Sequence, residues 1–289
     1  MTTPVWDPHQ YARHSGHRSR PVADLLARVP ALPDETSPRI ADLGCGPGGP
    51  SLPLAERWPG ARITGYDNSP AMLREARAHA GRTSGGGSLD FAHADLAAWK
   101  PSREGEFDLI FSNAALQWVG AADDGGVPGG GTAVAGHTRL FPDWVRGLPP
   151  GGVLAFQVPG NFGAPSHTLL LELRNSPRWR GRLGSAGRDA SVLDPVDYLA
   201  RLDALGCETD AWETTYAHLL HGEDPVLDWV KGTALRPVLT LLADDPEACE
   251  EFTAEYGRLL REAYPPLGGD PARGTVLPFR RIFVVAVKR

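Results

Sequence analysis

From residue 39 onward, short apolar runs alternate with segments of helical period, and few arrangements other than a parallel sheet with helices on its faces bury such a pattern. The runs are Arg39–Leu43, Arg62–Asp67, Leu89–His93, Phe107–Ser112 and Val153–Val158, each apolar enough to be covered on both sides. After the second run, Ser69 is placed as a helix N-cap with Pro70 at the first helical position, and Met72, Leu73 and Ala76 predict a helix to about Ala80, before Gly81. Further on, the pattern predicts a helix near His167–Leu173, another from Pro195 to about Leu205 stopped by Gly206, a strand over Glu208–Leu220 and a last strand over Arg281–Lys288. Between those two strands Trp229, Val230 and Leu235, then Phe252, Tyr256, Leu259 and Leu260, recur at helical spacing, so this stretch is expected to form a helical cap beside the sheet.

A chain of 289 residues with 42% hydrophobic and 22% charged side chains has ordinary globular composition and material for a sizeable core. Glycine and proline are abundant, which predicts many sharp turns. Seven of the glycines fall between Gly120 and Gly136 among few bulky residues, and that segment is expected to be a mobile loop inside the domain; Ser84–Ser88 reads as a loop tip. With 29 Lys and Arg against 35 Asp and Glu the formal charge is −6, so the basic field needed for sequence-independent nucleic-acid binding is missing. The longest purely apolar run, Ile282 to Val287, is too short for a bilayer and the first residues lack the marks of a signal peptide, which predicts a cytoplasmic protein without membrane partners. Cys45, Cys207 and Cys249 are odd in number and form no CxxC pair, as suits reduced, packed thiols. His14 with His17 and His218 with His221 lack the further ligands of a metal site, so no metal is expected.

The sharpest local signal is Ala41-Asp42-Leu43-Gly44-Cys45-Gly46-Pro47-Gly48, directly after a strand and before the helical run Leu52 to Trp58. Glycines there allow a tight turn and bring backbone close to a ligand. A second acid, Asp67, ends the next strand, where a carboxylate accepts both hydroxyls of a ribose. Two cofactor classes share this design. A dinucleotide offers a pyrophosphate to a helix N-terminus, but here Pro50 removes an N–H from that end and Asp42 repels phosphate. A ribose ligand bearing a cation, such as S-adenosylmethionine, suits the acid–glycine–acid set better than a nicotinamide dinucleotide does.

The motifs DLGCGPG, Tyr66-Asp67, His93-Ala94-Asp95-Leu96 and FDLIFSN together resemble the class I S-adenosylmethionine-dependent methyltransferases. That resemblance implies an α/β, Rossmann-like, doubly wound and mostly parallel seven-stranded sheet with a small helical cap. It also implies one methyltransferase domain over 1–289, in which the N-terminal segment 1–30 and an insertion at about 221–278 form a cap over the site. It implies that Asp42, Gly44, Gly46 and Gly48 run along the methionine part of the cofactor, Asp67 holds the ribose, Asp95 takes the adenine amino group, Leu96 covers the ring, and Asn113 completes the set. Met72 packs either on the adenine or in the core. WDPHQY, HRSRP, NAALQW, QVPGN, TTYAH, DWVKGTALRP, AYP and FRRIFVVA extend the likeness along the chain toward the trans-aconitate 2-methyltransferase family, which esterifies a carboxylate of a tricarboxylic acid. Two departures stand out: the Gly120–Gly136 insertion, and Gly49-Pro50 where the family has Asn followed by Ser or Thr.

An in-line methyl transfer from sulfonium to carboxylate neutralises charge and needs no general base, so no catalytic dyad is expected, and none is seen in the sequence. The carboxylates that do not react need charge-assisted partners. Arg236 and Arg281, aided by Tyr216 and Asn161, are the candidates, with Gln117 and Trp118 beside Asn113 after the fourth strand. By resemblance Tyr11, Arg18 and Arg20 belong to a segment covering the cofactor. The expected partner is a small carboxylic acid, and the expected assembly a monomer or small homo-oligomer. Rival readings are a methyltransferase of the same fold for another small acid or secondary metabolite, a nicotinamide oxidoreductase, and a non-catalytic cofactor-binding module.

Overall fold

In the computed structural model, residues 15–119, 136–184 and 192–289 are described, the side chains of 15–19 excepted. The expectations for the 120–135 stretch and for Tyr11 and His14 lie outside the described residues. The chain divides into two compact units. One contains 18–159, 190–214 and 281–289, the other 1–17, 160–189 and 215–280.

The first unit carries the site and begins with most of helix α1 (Ser15–Arg28). Val22, Leu25 and Leu26 give this helix, which lies within the 1–30 segment expected to belong to a helical cap, a buried stripe. Strand β1 (Arg39–Leu43) is followed by α2 (Leu52–Arg57), β2 (Arg62–Asp67), α3 (Pro70–Ala76), β3 (Gly81–Arg82), β4 (Ser88–His93) and β5 (Leu109–Asn113). Then come α4 (Phe141–Arg146) and β6 (Val153–Pro159), and the strand order across the sheet is β3-β4-β2-β1-β5-β6-β8-β7, with β7 (Cys207–Leu220) and β8 (Thr275–Lys288) the last two. The pairs β1–β2, β1–β5, β2–β4 and β5–β6 are parallel, while β6–β8 and β3–β4 run antiparallel. Eight strands therefore stand where seven were expected, the extra one being two residues that extend the Gly81 turn back along β4. Ser69 caps α3 as expected, its hydroxyl accepting from Met72 N at 3.4 Å, and Met72 is buried.

Strand order reverses at β1, whose neighbours β2 and β5 lead off in opposite directions; in open sheets of this kind ligands sit outside the carboxyl ends of the strands at that place. Beneath the sheet Phe141, Trp144, Phe156 and Tyr198 are fully buried, and His137 stacks on Tyr198 at 5.7 Å between centroids with Nε2 2.8 Å from its hydroxyl. Burial pushes the His137 imidazole down to about 4, so it is neutral at physiological pH. α7 (Pro195–Asp203), which brings Tyr198, ends near the predicted stop, with Gly206 at φ +84°.

In the second unit α5 (Pro165–Asn175) and α6 (Arg180–Leu183) precede β7, and α8 (Pro225–Lys231), α9 (Arg236–Leu241) and α10 (Pro246–Ala263) lie between β7 and β8. Leu170, Leu173, Trp179, Trp229, Leu235, Phe252, Tyr256 and Leu260 form its own apolar core. The start of α5 is fixed by two tyrosines, Ser166 N donating to the Tyr264 hydroxyl at 3.0 Å and the Tyr256 hydroxyl donating to Ser166 O. Among the described residues no helix is long and apolar enough to cross a membrane.

Candidate active site

The register of β1 on β2 pairs Leu43 with Tyr66, so Asp67 stands one residue beyond the level at which the glycine turn begins. Gly44 N and Cys45 N both donate to Tyr66 O, at 2.8 and 3.1 Å, and Gly44, Gly46 and Gly48 take φ of +76°, +55° and +84°. The three glycines serve different ends. A Cβ on Gly44 would lie 2.1 Å from Ala115 Cβ and one on Gly48 2.9 Å from Phe91, so these two permit packing, whereas a Cβ on Gly46 would meet nothing within 4 Å. At Gly46 the backbone therefore borders open space with no side chain in the way, a candidate cradle for a ligand. Gly44→Ala is therefore expected to lower the melting temperature by several degrees. Gly46→Ala costs about 1 kcal/mol of backbone strain and chiefly weakens nucleoside binding; thermal denaturation and calorimetric titration of both variants separate the two roles.

Asp67 closes this cradle. Its Oδ2 accepts from Gly46 N at 3.0 Å and its Oδ1 from Ser69 N at 2.8 Å, which fixes the carboxylate and leaves lone pairs on both oxygens for a diol. Burial raises its pKa, against the lowering effect of those backbone donors. Leu96 is half-buried beside Gly44, with Cδ1 3.5 Å from where a Gly44 Cβ would stand, and Asp95 is exposed, its Oδ1 accepting from Ala97 N at 2.9 Å. Asp67 and Leu96, both named from the sequence, thus lie against the glycine turn, at Gly46 and Gly44 respectively.

Asp42 lies deeper than its motif suggests. It is 1% exposed, Oδ2 accepts from the Ser51 hydroxyl at 2.5 Å, and Oδ1 has no hydrogen-bond partner. Ser51, which precedes α2, consequently makes no side-chain cap for that helix. Burial is the main reason that the Asp42 carboxyl is pushed up to about 7, with the nearby Asp67 charge adding to it and the Ser51 bond opposing it. The folded protein holds this proton where the unfolded chain has lost it, so stability falls as pH rises from about 4 toward 7. Asp42→Asn is expected to flatten that fall and to raise the melting temperature measured at pH 8, a change that pH-resolved thermal denaturation reads directly.

The carboxyl ends of β5 and β6 supply a second group. Asn113 is buried, its Oδ1 accepting from Gln157 Nε2, and Gln157 Oε1 accepts from Arg281 at 3.2 Å. Gln157 is a site residue that the sequence reading misses; its signal was a lone amide inside the buried run VLAFQVP, where a polar group must have partners. Next to Asn113, Ala114 has φ 55°, the one positive value among described non-glycine residues, and its N donates to Gln157 O at 2.9 Å. Gln117 Nε2 donates to Ala114 O at 2.6 Å while its Oε1 is buried and unpartnered. Trp118 is 46% exposed and so is not a core aromatic.

The remaining candidates belong to the second unit. Asn161 is buried with both ends of its amide on the Arg280 backbone, Nδ2 donating to O at 3.0 Å and Oδ1 accepting from N at 2.7 Å. Tyr216 is buried and stacks on His218, while Arg236 is the first residue of α9 and half-buried. Among the described residues no His, Cys, Asp and Glu side chains gather into a group able to hold a metal ion.

Residues 40–125, the stretch from β1 through β5, match the model of a methyltransferase domain. The chain is 57% identical to the trans-aconitate 2-methyltransferase of Streptomyces coelicolor over 99% of its own length and 88% of that protein. The chain belongs to the trans-aconitate 2-methyltransferase family. The enzyme of the same name from Rhodococcus jostii is 44% identical over 98% of this chain and 99% of its own. Among solved structures, the YcgJ protein of Bacillus subtilis shares the fold at a TM-score of 0.53 and 14% identity, covering 94% of this chain and 99% of that one.

Proposed function

We propose that this protein transfers a methyl group from S-adenosylmethionine to a carboxylate of trans-aconitate, giving a monomethyl ester and S-adenosylhomocysteine. The observation that carries the proposal is 57% identity, over nearly the whole chain, to a protein bearing that activity in its name. The cradle fits the cofactor on physical grounds. Its anchored carboxylate offers acceptors to a diol, and its open side lies over Gly46.

When bound, the cofactor supplies a sulfonium whose methyl carbon is open to in-line displacement. The acceptor oxygen forms the new C–O bond as the C–S bond breaks, and the electron pair goes to sulfur, so no proton moves. The chain's own work is orientation and exclusion of water, which together supply about 7–11 kcal/mol in well-aligned reactions. In this reading Asp67 fixes the ribose, Leu96 and Asp95 the adenine, the glycine turn and Asn113 the methionine end. Arg281 grips a carboxylate that does not react, and Gln117 and Trp118 border the acceptor.

The test is incubation of purified protein with labelled S-adenosylmethionine and a panel of small acids. Label recovered in a trans-aconitate monoester supports the proposal. Turnover of another acid and none of trans-aconitate assigns the chain to a different acceptor within the same chemistry.

A further inference from the structure

On the reading that Arg281 meets an anionic acceptor, we propose that Gln157 is a positioning residue, whose amide holds the Arg281 guanidinium and the Asn113 amide in one orientation at the carboxyl edge of the sheet. The register brings the three together. Asn113 pairs with Gln157 across β5 and β6, and Arg281 pairs with Pro159 across β6 and β8, two residues further along the same face as Gln157. All three side chains are buried, at 9%, 1% and 6% exposure for Asn113, Gln157 and Arg281.

Their orientation follows by elimination. A guanidinium only donates, so the group that Gln157 turns to Arg281 is its oxygen, Oε1, 3.2 Å from the guanidinium nitrogen. Its NH2 is then turned to Asn113, which accepts through Oδ1. Both donors of Asn113 Nδ2 are thereby aimed away from Gln157. The direction of an amide on β5 thus follows from a cation on β8, and Gln157 links the two. Its main chain joins in, since Gln157 O accepts from Ala114 N at 2.9 Å and holds the left-handed residue that follows Asn113. A leucine would pack in this strand with no polar group to desolvate, so the amide's contribution lies in these two bonds.

Two substitutions separate orientation from packing. Gln157→Glu cannot donate to Asn113 and cancels the Arg281 charge, whereas Gln157→Leu removes both bonds and leaves the charge. Each is made alone, in an Arg281→Ala background and in an Asn113→Ala background. Calorimetry gives the Kd of trans-aconitate for protein loaded with S-adenosylhomocysteine and the Kd of S-adenosylhomocysteine itself, and kinetics give acceptor KM and kcat. The expected result is a rise of about tenfold or more in acceptor Kd and KM for Gln157→Glu, a smaller rise for Gln157→Leu, and kcat changed less than about threefold. The rise for Gln157→Leu is expected to vanish in the Arg281→Ala background, because the two residues act through one contact. Folded variants with unchanged acceptor Kd, or with losses that simply add to that of Arg281→Ala, overturn the proposal.

If the loaded wild-type protein binds no trans-aconitate, the acceptor assignment fails, and the positioning role is then decided on the Asn113 side. There Gln157→Glu is expected to weaken S-adenosylhomocysteine binding severalfold, an effect that Asn113→Ala abolishes; no change in that affinity overturns the role.

Discussion

Asp67→Ala is expected to weaken S-adenosylhomocysteine binding by about a hundredfold or more. A carboxylate accepting two hydroxyls of a ribose makes two charge-assisted hydrogen bonds, each contributing about 1.5–3 kcal/mol, so their joint loss exceeds a factor of a hundred. The variant also leaves Gly46 N and Ser69 N without their present acceptor, which loosens the cradle that Gly46 forms. Asp67→Asn divides these effects, since its one remaining oxygen still serves a backbone donor while the charge is gone. Calorimetric titration of both variants, with melting temperatures alongside, is the measurement. Affinity of Asp67→Ala within about threefold of wild type would remove Asp67 from the binding site.

Arg281→Ala is expected to raise the acceptor KM by about thirtyfold or more while the Kd of S-adenosylhomocysteine moves little. Removing one partner of a buried, hydrogen-bonded charge pair costs about 2–5 kcal/mol, part of it the penalty on the carboxylate left without a partner. At 6% exposure and anchored on Gln157, Arg281 would meet an acceptor carboxylate in a setting with little water to screen it. Arg281→Lys keeps the charge but loses the planar fork, so it is expected to fall between the two. Steady-state kinetics at saturating cofactor reads the effect, and an unchanged acceptor KM for Arg281→Ala refutes the acceptor role.

Local chemistry was the legible part of this chain. The five parallel-type runs, the Ser69 cap with Pro70, the glycine stops and the acid after the second strand depend on neighbours within a few residues, and the structure has them close to where the pattern places them. The bounds of α1 were not legible, because Val22, Leu25 and Leu26 gain their burial from distant partners. Asp42 illustrates the same limit at the site. Its motif announced an acid near a ligand, but the Ser51 bond and the loss of water that shift its titration exist only once the turn has folded over β1.

Asn161 and Gln157 show how far residue type alone misleads. Both are amides near Arg side chains in sequence stretches that resemble one family, yet Asn161 spends its amide on the Arg280 backbone while Gln157 joins Arg281 to Asn113. The sequence by itself determined the fold class and the cofactor class, because periodicity, glycine spacing and recurring motifs are written in one dimension. Tertiary structure decided which polar groups are buried, which way their amides face and how their protons are held, because those depend on strands distant in sequence meeting in a fixed register where water is absent.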